Sequence, residues 1–249
     1  MGNVAIQYTA SCTNCGLKKI CFAKGLQDTD LSQLDDLVDR KPSLSKGEYL
    51  FKAGEPFKSM FAVRAGAIKL FSYDRNYMEV IHGFYLPGDI VGMDSIAYPN
   101  YQFYAIALDV TSVCEIPYAQ LSDLAVKVPN LHVQILSLMS QEIVGTRSYT
   151  ALLTHKTAEQ RLAFFIWSMS LTYKSRGYLH TKFRLNILHR DVANYLNLTP
   201  ETVSRVLAKF NKQKVLSWKK KEVHILNENA LRQLAGESDS VCMDASHQL

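Results

Sequence analysis

The sequence predicts an α+β chain in which an antiparallel β unit is followed by a long helix and a helix-turn-helix. Three observations carry that reading. Between about residues 46 and 116, short runs of β-branched and aromatic residues alternate with turn signals: Lys46-Gly47, Ala53-Gly54-Glu55, Ala65-Gly66, Pro87-Gly88-Asp89 and Tyr98-Pro99-Asn100. Turns at this spacing suit an antiparallel barrel or sandwich rather than βαβ units. Beyond Pro129-Asn130, the positions Leu136, Met139, Ile143, Thr146, Thr150 and Leu153 recur at intervals of 3, 4, 3, 4 and 3, the spacing of a coiled-coil seam. Finally, residues His189 to Gln213 carry the cap, turn and core pattern of two short crossing helices.

At 249 residues and 47% apolar content, the chain can build two ordinary domains with real cores. It divides into an arm with three cysteines (1–25), a β unit opened by a short helix near Asp30–Arg40 (26–128), the long helix (129–156), a C-terminal unit (157–236) and a tail expected to be disordered (237–249). The seam could serve a dimer or face a core within one subunit. Two threonines at its middle make it a marginal dimer interface, and a marginal interface can respond to a signal elsewhere.

The C-terminal unit begins near Thr157, with an amphipathic helix over Glu159–Tyr173. In the helix pair, Ala193 is small enough for a close crossing and Asn197 tolerates a left-handed turn. Thr199 is a good N-cap, Pro200 fits the first helical position, and Glu201 suits the positive end of the dipole. Val203, Val206 and Leu207 would hold the second helix down. Glu201, Ser204 and Arg205 then share an outward cluster at i, i+3 and i+4. In helix-turn-helix proteins that stretch meets base edges. Arg205 can pair with guanine, Glu201 can accept from a cytosine amino group, and Ser204 can reach a base or a phosphate.

Net charge is only +5, but it is unevenly spread. Seven Lys/Arg and one acid lie between Glu201 and Lys221, whereas residues 76 to 126 contain no Lys or Arg. The basic end suits duplex DNA. Thr199, Thr202, Lys209, Lys212 and the basic hairpin turn Lys219, Lys220, Lys221 are the candidate backbone contacts, which confer affinity and salt dependence but no sequence information.

Cys12, Cys15 and Cys21 form C-x2-C-x5-C, and Cys114 can supply a fourth thiolate. Four thiolates suit zinc or an iron–sulfur cluster. Paired C-x2-C knuckles, the usual zinc pattern, are absent, and the uneven 3+1 set fits a cluster better. Cys242 lies in the polar tail and is not expected to be a ligand. No stretch is long and apolar enough to span a bilayer, and the N-terminus lacks a signal-peptide pattern, so a cytoplasmic chain without structural disulfides is expected. The histidines are scattered, with no metal-ligand pair, and neither G-x-S-x-G nor a phosphate loop occurs, which argues against an enzyme.

Taken together, these pieces resemble the Crp/Fnr superfamily of bacterial transcription regulators, and within it the oxygen-sensing members. The resemblance runs from about residue 12 to residue 236. It rests on the cysteine arm, Leu50-Phe51-Lys52-Ala53-Gly54, Phe84-x-Leu86-x-Gly88-Asp89, Val113-Cys114-Glu115-Ile116-Pro117 and Leu196-x-Leu198-Thr199-x-Glu201-Thr202-Val203-Ser204-Arg205. It implies an N-terminal antiparallel β-roll sensor domain of cyclic-nucleotide-binding-like shape, a long dimerisation helix and a C-terminal winged helix-turn-helix. It further implies that Cys12, Cys15, Cys21 and Cys114 hold a [4Fe–4S] cluster, which favours a homodimer on a palindromic TTGAT-type operator until oxygen degrades it. RNA polymerase is an implied partner. A cyclic nucleotide is not expected: members that bind one place a Gly-Glu pair and an Arg-Ser pair in the roll, whereas here Gly92 precedes Met93 and Tyr101-Gln102-Phe103 offers no arginine. A zinc- or thiol-redox regulator using the same cysteines is the alternative. Thr146 lacks the charge with which an acidic residue would repel its mate across a two-fold axis, so an apoprotein dimer less unstable for that reason is expected.

Overall fold

The structure is a computed structural model that describes residues 11–236. The expected disordered tail and Cys242 lie outside the described residues. The arm contains a 3-10 turn, Cys12–Asn14, and leads into helix α1 (Asp28–Leu37). This helix begins and ends earlier than the sequence suggests. Val38 is extended (ψ 118°), and Asp39–Arg40 form a two-residue strand, β1. The backbone there is claimed by a sheet, which no local helix propensity reveals.

Seven more strands complete the roll: β2 (Tyr49–Phe51), β3 (Ser59–Ala65), β4 (Ile68–Tyr73), β5 (Glu79–Tyr85), β6 (Ile90–Val91), β7 (Tyr104–Ala107) and β8 (Ser112–Pro117). They form two antiparallel four-stranded sheets, ordered β1-β8-β3-β6 and β2-β7-β4-β5. Phe61, Val63, Ile68, Leu70, Val91 and Val113 fill the space between them. Phe51 stacks on Tyr101 there, with ring centroids 4.0 Å apart. Gly66 makes the β3–β4 turn at φ +85°, where a Cβ would lie 2.4 Å from Thr111 Oγ1. Only glycine fits that approach.

Helix α2 (Tyr118–Lys127) and the 27-residue α3 (Pro129–His155) follow. A second core gathers α1, α2, the first turns of α3 and the sheet residues Met60, Ala62 and Ile116. The C-terminal unit comprises α4 (Ala158–Ser175), β9 (Lys182–Arg184), α5 (His189–Tyr195), α6 (Pro200–Lys212), the hairpin β10 (Leu216–Lys219) and β11 (Glu222–Ile225), and α7 (Glu228–Ala235). Thr157 and Gln160 cap α4 reciprocally. The predicted α+β architecture, sheets first and winged helix last, is thus observed.

The two units are packed together. Phe71, Ile81 and Phe84, on the outer face of the second sheet, share one core with Phe165, Tyr195 and Phe210. β5 is the edge of that sheet, and Asn194 of α5 satisfies part of it. Its Oδ1 accepts from Ile81 N (3.0 Å), and its Nδ2 donates to Glu79 O (2.6 Å). Unpaired edge groups are thereby covered. Beyond the edge, Arg176 donates to Asp89 Oδ1 at 2.7 Å, with side chains only 4% and 6% exposed.

Candidate DNA-reading helix and cysteine centre

The turn between α5 and α6 takes the form its residues favour. Asn197 sits at φ +50°, and Leu198 N donates back to Ala193 O at 2.8 Å. The Thr199 hydroxyl accepts from Thr202 N at 3.2 Å, so α6 starts with a filled cap. Val203, Val206, Leu207 and Phe210 are buried against α4, α5 and the hairpin, which leaves one face free. Glu201, Ser204 and Arg205 are all exposed on that face. Glu201 is held below the usual carboxylate range by its own backbone N–H and by the Thr199 hydroxyl. As a carboxylate it presents an acceptor, not a donor, to whatever lies opposite.

The basic positions are more varied. Lys212, Lys219 and Lys220 are exposed, with Lys220 at φ +55° in the hairpin turn. Lys221 lies 3.8 Å from Asp109 of the roll. Lys209 is turned toward α4, where it pairs with Glu159 at 2.6 Å. Arg190, on the first turn of α5, is 76% exposed and extends the basic surface. Sequence reasoning missed it, although its place beside the first helix's N-terminus could have signalled it.

The four cysteines arrive from two directions. Cys12 lies in the 3-10 turn, and Cys15 and Cys21 in the turns that follow, with Cys21 N donating to Leu17 O at 2.8 Å. Cys114 sits mid-strand in β8, opposite Arg40 on one side and Ala62 on the other. All four are free, half-buried thiols that feel one another. Burial, then Asp35, then Cys114 and Cys21 push Cys12 up to about 12. Burial also takes Cys21 to about 12, with Cys114 and Cys15 adding to the rise against two backbone N–H groups. Burial raises Cys114 too, while Arg64 and Arg40 oppose it. Burial works against ionisation of Asp35 as well, but the Cys12 N–H and Arg40 outweigh it and hold that carboxyl low.

No three His, Cys, Asp or Glu side chains among the described residues are grouped tightly enough to hold a single metal ion. A single tetrahedral ion draws its sulfurs to about 2.3 Å. A cluster of several irons sets its thiolates further apart, and four converging thiols are the donor set it takes. Cys12, Cys21 and Cys114 each feel the charge of another cysteine of the set, which is the proximity a shared thiolate-bound group needs.

Along α3 the predicted seam is open on one side. Leu136 and Ile143 are each 53% exposed, Thr146 and Thr150 are exposed, and Met139 and Leu153 are half-buried. The two threonine hydroxyls are satisfied within the helix, donating to Glu142 O and Thr146 O at 2.9 Å. Ile135, Leu138 and Met139 pack against the same core that holds Cys12, Cys21 and Cys114.

A capped, outward-facing helix, a basic hairpin and a β-roll define the class of winged-helix transcription regulators with an N-terminal β-roll unit. Comparison with known proteins places it further. Residues 160–234 match the Crp-like helix-turn-helix domain and residues 41–127 the cyclic nucleotide-binding domain. The chain is 44% identical over 229 residues to the fumarate and nitrate reduction regulatory protein of Yersinia pestis, and 43% identical over 230 residues to that of Escherichia coli K12. Each alignment covers 92% of both chains. Among solved structures, FixK2 from Bradyrhizobium japonicum superposes with a TM-score of 0.73 at 26% identity, covering 81% of this chain and 98% of that one. TTHB099 of Thermus thermophilus superposes at 0.64 over 80% and 98%, and at 18% identity it speaks for the fold alone. The chain belongs to the Crp/Fnr family of transcription regulators, and it is a regulator rather than an enzyme.

Proposed function

We propose that this regulator controls anaerobic metabolism in response to oxygen. In this reading Cys12, Cys15, Cys21 and Cys114 hold a [4Fe–4S] cluster, and two copies pair along Leu136, Met139, Ile143, Thr146, Thr150 and Leu153. The dimer then presents two copies of Glu201, Ser204 and Arg205 to a palindromic TTGAT-type operator in the cytoplasm. Thr199, Thr202, Lys212, Lys219, Lys220 and Lys221 serve the phosphates, with Lys209 joining them when it leaves Glu159, and RNA polymerase is the downstream partner. The unit boundaries expected from the sequence become functional parts: arm and roll sense, the long helix assembles, and the C-terminal unit reads.

The observation that carries this reading is the shared core. Three of the four cysteines that would hold the cluster, Cys12, Cys21 and Cys114, pack on the same apolar residues as Ile135, Leu138 and Met139 of α3. What binds the thiols therefore bears on the helix that would pair. When bound, the group supplies a redox-labile centre whose loss frees the arm. The chain's own residues do the rest: the thiols would bind as thiolates, giving up their protons, and α3 converts a local change into an altered seam. A ligand shifts such an equilibrium only by its unequal affinity for the two states, and a marginal seam makes a small inequality sufficient. Phe51, Phe61 and Tyr101 stack on one another in the roll interior, an apolar lining that does not favour a cyclic phosphate there.

Anaerobic purification tests the proposal. The expected protein is brown, carries iron and sulfide, absorbs broadly near 400 nm, roughly where thiolate-to-iron charge transfer falls, and bleaches in air. Sedimentation should show air shifting dimer toward monomer, less completely than a charged residue at Thr146 would allow. A colourless protein with stoichiometric zinc overturns the cluster in favour of the zinc or thiol-redox alternative.

A further inference from the structure

Asp35 occupies a position that helix stability does not explain. It lies in the last turn of α1, at the negative end of the helix dipole, where a carboxylate is unfavourable and no basic residue of that turn offsets it. Two partners from outside the helix hold it instead. Cys12 donates its backbone N–H to Asp35 Oδ1 at 2.8 Å across 23 residues of chain. The Arg40 guanidinium donates to the same oxygen. Arg40 in turn is the register partner of Cys114 across β1 and β8. One carboxylate thus joins the arm that bears three thiols to the strand that bears the fourth.

We propose that Asp35 and Arg40 are a positioning pair that seats the arm, fixing Cys12 beside Cys114 before any group binds. Bringing an arm and a distant strand together has an entropic cost that a loose loop must meet at the moment of binding. A pre-seated ligand meets it in advance, as any preorganised site does. Asp35 holds the Cys12 backbone N–H and also meets the Cys12 thiol, while Arg40 acts through Asp35 and the register of β1. The seating concerns the iron-free protein. Its consequence for iron rests on the cluster reading above.

The test has two parts on the full-length chain. In reduced, iron-free protein, iodoacetamide labelling of Cys12 and Cys114 is followed peptide by peptide across a pH series, and each rate is referred to the thiolate fraction, so that losing the Asp35 charge beside the Cys12 thiol is not read as unseating. Asp35→Ala should speed labelling of Cys12 by roughly ten-fold, the scale of a lost hydrogen bond to a charged group, and leave Cys114 unchanged. Arg40→Gln should give an intermediate rate, and Asp35→Glu should restore part of the protection. Equal Cys12 rates in wild type and Asp35→Ala overturn the seating, and so does a general rise at both cysteines, which would mark Asp35 as structural only. Anaerobic reconstitution with ferrous iron and sulfide forms the second part. Asp35→Ala should lose its iron to a chelator several-fold faster than wild type, and equal loss overturns the link from seating to iron. A wild type that takes up no iron removes the cluster reading, while the labelling result still decides the seating.

Discussion

The reading helix and the cysteine arm are built on opposite plans. Helix α6 is complete in itself: cap filled, turn set by Asn197, apolar face buried, readers exposed. Nothing about its local shape awaits a partner. The arm has little regular structure: it is held by a few turns, by Phe22 and Ala23 in the second core, and by the Cys12–Asp35 and Lys18–Asp28 contacts, and burial pushes Cys12 and Cys21 toward their protonated forms. A surface that recognises a rigid duplex gains from being finished in advance. A sensor gains from being unfinished, because only a site whose filling changes something can report.

The contrast predicts all-or-none effects at the arm and graded ones at the helix. Cys114→Ala should have the largest effect and abolish the 400 nm absorbance and bound iron altogether, while circular dichroism shows an intact fold. Retention of full iron would place the fourth ligand elsewhere. Arg205→Ala should weaken operator binding by about 1–3 kcal/mol and relax sequence preference at one base pair. A titration against operator and scrambled duplexes reads both, and unchanged preference would remove Arg205 from the readers.

Smaller effects sharpen the comparison within the C-terminal unit. Thr199→Ala removes the α6 cap and should cost about 1 kcal/mol of stability, visible as a lower denaturation midpoint with iron content unaltered. Lys220→Ala should lower the slope of log affinity against log salt by about 0.9 if it meets a phosphate, with sequence preference untouched. The smallest effect concerns pH. Burial holds His189 below its usual pKa. Its folded pKa is then lower than its unfolded one, so its contribution is full above about pH 6.5 and is lost as pH falls through the folded value. A thermal midpoint measured against pH should be flatter below that point for His189→Gln. Part of the slope should remain, because burial shifts His82 in the same direction.

What could be read from sequence was local. The cap at Thr199, the left-handed Asn197 and the outward triplet follow from short-range rules, and the cysteine spacing announces itself. The turn signals of the roll are local too. What stayed hidden depends on distance along the chain. Strand β1 is two residues whose only reason to be extended is Cys114 and Glu115 across the ladder. Phe71, Ile81 and Phe84 read as ordinary strand residues, and only the folded chain shows them facing α4 and α5. Lys209 read as a phosphate contact, yet it has Glu159 within reach. Met139 belongs to a stripe that could serve a dimer or a core, and it lies against the cysteine core. Periodicity assigns a residue to a face; it does not say what the face meets.

The buried Asp89–Arg176 pair has a consequence for how such chains change over generations. A single substitution at either position strands a charge in the joint between the two units, at about 3–5 kcal/mol, against a total stability of about 5–15 kcal/mol for a typical domain. A simultaneous change of both to apolar residues removes both charges at once, yet it also takes from Leu86 N the Asp89 Oδ2 acceptor it now meets at 2.7 Å. Of the two positions, 89 should be the more constrained, because Asp89 also closes its own turn through Leu86 N, and 176 should tolerate only residues that answer the Asp89 charge across 87 residues of chain. The same arithmetic governs recombination. A chimera that takes its roll from one parent and its winged helix from another will keep a sound joint only where the two parents agree on this pair.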